Sequence, residues 1–184
     1  YLEPNKILYF RETCEVKIWD FTLCIRKEWI RVYSGMVGSG NYRAPEAWFD
    51  RTPQQIEWDE RVDVWSLGTI IYEIQYRKPL FNYQIRHEAD KRGKHELETK
   101  RMLNCFKDWA RHTNQIWDHK TYAIDYEKPA FVPITDTPFW RFLSRMLRLD
   151  HRQRSTWKEL LHDPYLTGIS LENSYQIRAG FQLP

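Results

Sequence analysis

Between Val62 and Gln75 the apolar residues Val62, Trp65, Leu67, Ile70, Ile71, Tyr72 and Ile74 cover nearly the whole circumference of a helix. A helix that is apolar all round has no face to give to water and must be enclosed by other elements. Arg77-Lys78-Pro79 stops it, because proline lacks an amide hydrogen and disfavours helix in the residue before it. The chain therefore needs a substantial body around one central helix. Its 184 residues, 42% apolar and with nine Trp, are enough for one cored domain.

The rest of the sequence supplies the wrapping. Ile7-Leu8-Tyr9-Phe10 and Val16-Lys17-Ile18-Trp19 flank a polar stretch and predict a short hairpin. Residues 22–40 keep no period and carry Gly35, Gly38 and Gly40, so they read as a long loop. Charge dominates 86–101, a solvated lead-in to an amphipathic helix marked by Met102, Leu103, Phe106 and Trp109. The proline-bearing stretch 114–137 reads as irregular. Phe139, Phe142, Leu143, Met146 and Leu147 predict a further helix. Another is predicted to begin at Ser155, with Glu159 in its first turns, and to run to Asp163-Pro164. The expected class is mainly α with one small β-hairpin, with little periodicity from Thr167 onward.

Composition narrows the function. The net charge is +3 and basic residues are interleaved with acidic ones, so neither a nucleic-acid stripe nor a membrane-surface patch is expected. Cys14, Cys24 and Cys105 form no C-x-x-C pair and no metal-ligand spacing with the histidines, as reduced intracellular thiols would. No run approaches a membrane span, and no export signal opens the sequence. Tyr1-Leu2-Glu3-Pro4 reads as the middle of a longer gene product.

Four motifs in order carry a family resemblance. Gly38-Ser39-Gly40-Asn41-Tyr42-Arg43-Ala44-Pro45-Glu46 precedes Asp63-Val64-Trp65-Ser66-Leu67-Gly68. Asp20-Phe21-Thr22 lies upstream. Leu149-Asp150-His151-Arg152-Gln153-Arg154-Ser155, continued by Glu159 to Tyr165, lies downstream. Together they resemble the protein kinase family: its D-F-G site, the A-P-E end of its activation segment, its large buried helix and its closing helices. The resemblance implies the C-terminal lobe of the kinase fold over residues 1–166, with 167–184 as a tail. It implies that Asp20 holds magnesium, that Ser39 and Tyr42 shape the substrate-docking loop, and that Glu46 forms a structural ion pair with Arg154. Asp63 is implied to anchor the catalytic loop through backbone hydrogen bonds, although a carboxylate favoured by a helix N-terminus is an equally good reading. Ser39 in a G-T-x-x-Y-like position and the run Tyr42 to Glu46 resemble Ser/Thr-type kinases of the cyclin-dependent and mitogen-activated group. That group's insert is not recognisable in residues 82–110.

The departures concern chemistry. Aligned without gaps to the family's D-L-K-P-E-N-I-L loop, residues 1–8 put Tyr1 at the catalytic Asp, Glu3 at the phosphate-contacting Lys and Lys6 at the metal-binding Asn. Lysine repels a metal ion where asparagine would donate an oxygen. A second alignment, with an Asp ahead of Tyr1, instead makes Asn5 the metal-binding Asn. Thr22 replaces the D-F-G glycine and restrains the backbone there. The Gly-rich loop, strand Lys and helix Glu of an N-lobe would precede Tyr1.

The resemblance therefore implies a catalytically impaired, pseudokinase-like regulatory or binding module. The alternative is an active ATP-dependent Ser/Thr kinase truncated at its N-terminus. ATP and magnesium are expected if the complete domain is active, and neither for this chain alone. Expected partners are a protein substrate or regulator and the N-lobe of the same domain. A purely structural role would turn Trp58, Trp109, Trp117 and Trp140 toward a partner, against their commoner place in a core. Tyr33, Ser34 and Ser39 are hydroxyls on the expected activation segment, near Arg26, Lys27 and Arg31; they read first as ordinary polar-loop residues, and as phosphorylation sites they would pair with those bases and order the loop.

Overall fold

The computed structural model describes residues 2–26, 40–48, 59–81, 91–117, 122, 126 and 128–168, the first five residues of the second helix by backbone alone. Among the described residues the chain is mainly helical with one two-stranded antiparallel sheet. Strands β1 (Ile7–Phe10) and β2 (Glu15–Ile18) pair in the register Ile7 to Ile18 and Phe10 to Glu15. The helices are α1 (Arg61–Tyr76), α2 (Lys91–His112), α3 (Pro138–Met146), α4 (Trp157–Leu161) and α5 (Pro164–Thr167). Single 3-10 turns form at Pro4–Lys6, Pro45–Trp48 and His151–Gln153.

Helix α1 starts where the Asp59 carboxylate accepts from the Arg61 amide at 2.9 Å, and Asp63 in its first turn complements the dipole. It ends at Arg77, whose φ of 55° is left-handed, two residues before Pro79. Val64, Trp65, Ile70 and Tyr72 are buried. Gly68 lets α3 come close: a Cβ there would sit 3.0 Å from both Leu147 Cδ2 and Met146 Cβ. The core around α1 is aromatic. Trp65 stacks on Phe81 with ring centroids 6.0 Å apart and meets Phe106 edge-on at 5.9 Å, and Phe131 packs edge-on against Trp109 at 5.0 Å. A second cluster of Val64, Phe142, Met146 and Leu160 seats α4, and Tyr165 of α5 stacks on Phe142 at 5.1 Å.

The segment between α2 and α3 carries Pro129 and Pro133, which cannot donate to a ladder. At several of its described residues side chains satisfy the backbone instead. Buried Asn104 donates to Tyr122 O at 2.9 Å and accepts from Tyr122 N at 3.0 Å. His112 bonds Val132 O, the Tyr72 hydroxyl accepts from Val132 N, and Lys78 donates to Ala130 O. Gln115 bonds Leu147 O and the Leu149 amide, tying the end of α2 to that of α3.

Four expectations need correction. Helix α2 begins at Lys91, well before Met102, because its Glu, Lys and Arg are good helix formers and Glu96 pairs with Lys100 one turn on. Thr156, and not Ser155, caps α4: its hydroxyl accepts from the Glu159 amide while the Glu159 carboxylate returns to the Thr156 amide, a complete capping box. Asp163-Pro164 closes α4 but also opens α5, with Asp163 as N-cap and Pro164 in the first turn. Ile74 lies on an exposed face of α1, so the helix is not enclosed all round.

Candidate functional site

Two clusters hold the residues singled out by the sequence. The first is built on Arg154, which is 1% exposed. The 3-10 turn at Pro45–Trp48 directs Glu46 inward, and Arg154 grips both of its carboxylate oxygens, at 2.7 and 3.0 Å. The same guanidinium donates to Arg61 O at 2.7 Å and Arg148 O at 3.0 Å and lies over the Trp65 ring at 5.2 Å. One arginine thereby joins the 45–48 turn, the start of α1 and the segment after α3. A planar fork with fixed donors suits this, where a lysine would not.

Tyr42 is held along α1. Ser66 Oγ is 2.8 Å from Tyr42 O, and the Tyr42 hydroxyl donates to Glu73 Oε2 at 2.8 Å. Arg43 stacks over Trp48 at 4.4 Å, and Trp48 Nε1 donates back to Arg43 O. The sequence reading missed Ser66, Glu73 and Trp65 as supports. Ser66 and Glu73 are seven residues apart, two helical turns, and so share a face of a largely apolar helix. That spacing was the available signal. Asp63 is half-buried in the first turn of α1, where the helix N-terminus favours its charge.

The second cluster lies at the base of the hairpin. Pro4 opens the 3-10 turn, Glu3 O accepts from the Lys6 amide at 2.9 Å, and Lys6 O accepts from the Trp19 amide at 3.0 Å. Trp19 Nε1 also donates to Asn5 O at 2.7 Å. These bonds set Lys6 against Asp20: Nζ lies 3.5 Å from Oδ2, with the Lys6 side chain 6% exposed. Asn5 is exposed. Asp20 adopts a left-handed φ of 59°, tolerated by Asp, and its Oδ1 accepts from both the amide and the hydroxyl of Thr22. Thr22's hydrogen bonds, and then the Lys6 charge, hold the Asp20 carboxyl below its ordinary pKa.

These residues do not fit a magnesium site. Magnesium takes six oxygen ligands in a tight octahedron, commonly one or two carboxylates with waters and substrate phosphates. Here one oxygen of Asp20 serves Thr22 and the other faces an ammonium group. Among the described residues no three His, Cys, Asp or Glu side chains are grouped to share a metal ion. Tyr1, Ser39, Tyr33, Ser34 and Trp58 lie outside the described residues. Trp109 and Trp140 are in the core, with Trp117 packed beside it.

The family described as protein kinase domain matches residues 2–166. The chain belongs to the protein kinase family. Its kinase relatives include mitogen-activated protein kinase 6 of Arabidopsis thaliana, 28% identical over 173 residues, covering 91% of this chain and 41% of that protein. Mitogen-activated protein kinase 1 of Oryza sativa subsp. japonica has the same identity and coverage. Cyclin-dependent kinase 20 of Danio rerio is 29% identical over 178 residues, with 89% of this chain and 46% of that protein covered. The chain thus spans less than half the length of these kinases. Among the described residues no helix is long and apolar enough to cross a membrane.

Proposed function

We propose that residues 1–166 are the C-lobe of a Ser/Thr-type protein kinase domain, followed by a tail at 167–184, and that its catalytic loop is impaired, leaving a pseudokinase-like regulatory or binding module. The observation that carries this reading is the contrast between the two clusters. The described part of the docking-loop scaffold is in place, with Glu46, Arg154, Tyr42 and Ser66 bonded across distant parts of the chain. At the base of the hairpin, Lys6 faces Asp20 where a kinase needs an oxygen donor for its metal. Tyr1 and Glu3 at the catalytic Asp and Lys positions, and Ser39 in the docking loop, belong to the same proposal.

The hairpin supports the N-lobe of the same domain as a partner. Leu8, Tyr9, Phe10, Val16 and Ile18 are exposed on both of its faces, and a lone two-stranded hairpin is marginal in water. Protein substrates or regulators would meet the segment around Tyr42. The three cysteines are free, in keeping with an intracellular setting.

The retained Asp20 favours a second reading, an active ATP-dependent Ser/Thr kinase. Radiolabelled phosphate transfer from ATP with magnesium to a basic protein acceptor separates the two. The module reading expects wild type and Asp20→Ala to be equally silent. Transfer by wild type that Asp20→Ala abolishes establishes the active kinase.

A further inference from the structure

Lys6 is held more firmly than a lysine at a flexible loop. Its amide and its carbonyl are both hydrogen-bonded, to Glu3 O and from the Trp19 amide, and it immediately precedes β1. The register of β1 with β2, in which Ile7 faces Ile18, fixes where the residues on either side of the strands meet. Lys6 and Asp20 are brought together by that register, fourteen residues apart in sequence. The ammonium group is nearly enclosed, and an enclosed charge requires a counter-charge. On the other flank Thr22 occupies the second carboxylate oxygen with its amide and hydroxyl.

We propose that the Lys6 ammonium is a built-in counter-ion of Asp20 that takes the place of a divalent cation, so that the site excludes magnesium and manganese and is returned to metal binding by replacing this one side chain. The proposal rests on reading Lys6 at the position of a kinase's metal-binding Asn, and adds that the Lys6 charge guards the carboxylate oxygen that Thr22 leaves open. A divalent ion at Asp20 would meet a positive charge held 3.5 Å from Oδ2 by an enclosed lysine, screened in part because the Asp20 side chain is 31% exposed. An amide side chain at position 6 would remove that charge and offer an oxygen in its stead.

Manganese binding to the 184-residue chain, followed by the electron paramagnetic resonance signal of free Mn²⁺, is the test, with no nucleotide added. Wild type is expected to show no saturable site. Lys6→Asn and the longer Lys6→Gln are each expected to gain one, at least about tenfold tighter than any wild-type binding, and to lose it again when combined with Asp20→Asn. Circular dichroism melts identify folded variants, and Lys6→Gln decides should Lys6→Asn not fold. A wild-type site removed by Asp20→Asn overturns the proposal, as does a folded Lys6 variant that gains none. Metal binding by wild type leaves the phosphate-transfer result standing, whereas transfer by a wild type that binds no metal defeats the impaired-kinase reading and leaves the Lys6 proposal intact.

Discussion

Arg154 makes four hydrogen bonds from a site that water hardly reaches, two of them to Glu46. Removing its charge leaves the Glu46 carboxylate, itself largely buried, without compensation, and frees the carbonyls of Arg61 and Arg148. Arg154→Met is therefore expected to cost about 3–5 kcal/mol by urea unfolding. A loss below about 1 kcal/mol would show the pair to be dispensable. The partners lie 108 positions apart with no local signal to join them, so the pair was legible only through the motifs containing Glu46 and Arg154. The Lys6 contact with Asp20 was legible only as a substitution. That the ammonium points at the carboxylate follows from hairpin register, which a sequence of short apolar runs does not fix by itself.

Among the elements, α1 was the most legible, since its apolar run is long and ends in a strong stop. Its close packing on α3 was not: nothing in the sequence says that Gly68 faces Leu147 and Met146. Gly68→Ala gains helix propensity of about 1 kcal/mol, but its Cβ enters a packed interface 3.0 Å from two side-chain carbons. Overpacking costs about 1–3 kcal/mol, and a net loss is expected in thermal melts. A stabilised variant would mean that α3 yields freely. Helix α2 shows the opposite failing of sequence reading, its charged first half being helical without any apolar stripe to announce it.

Cys105 on α2 offers a pH test. Burial first, and then the Asp108 charge, push its thiol up to about 12 from 9.0. The folded state resists deprotonation, so the stabilisation is complete below pH 9 and fades as pH rises toward 12. Raising the pH from 9 to 11 should remove about 2–3 kcal/mol through this group. Burial raises the Tyr72, Tyr76 and Tyr126 hydroxyls in the same direction, so the test compares wild type with Cys105→Ala, whose decline should be shallower. Equal slopes would show that the thiol contributes nothing.

At the scale of the molecule, the helical body is closed by side chains that reach across irregular backbone. Asn104, His112 and Gln115 do what a further strand or helix would do elsewhere. The proline-bearing stretch was legible as irregular, but the bonds that hold its described residues were not, because single polar side chains make them and they follow no period. The frame built on Glu46, Arg154 and Tyr42 and the Lys6 and Asp20 pair at the hairpin base are separate features of one chain. On the proposed reading the chemistry is missing and the frame is not. Phosphate transfer by the full-length gene product, before and after the combined changes Tyr1→Asp, Glu3→Lys and Lys6→Asn, tests that most directly. No transfer by wild type and measurable transfer by the triple variant are expected; wild-type transfer at a rate equal to or above that of the variant would show the catalytic loop to be intact.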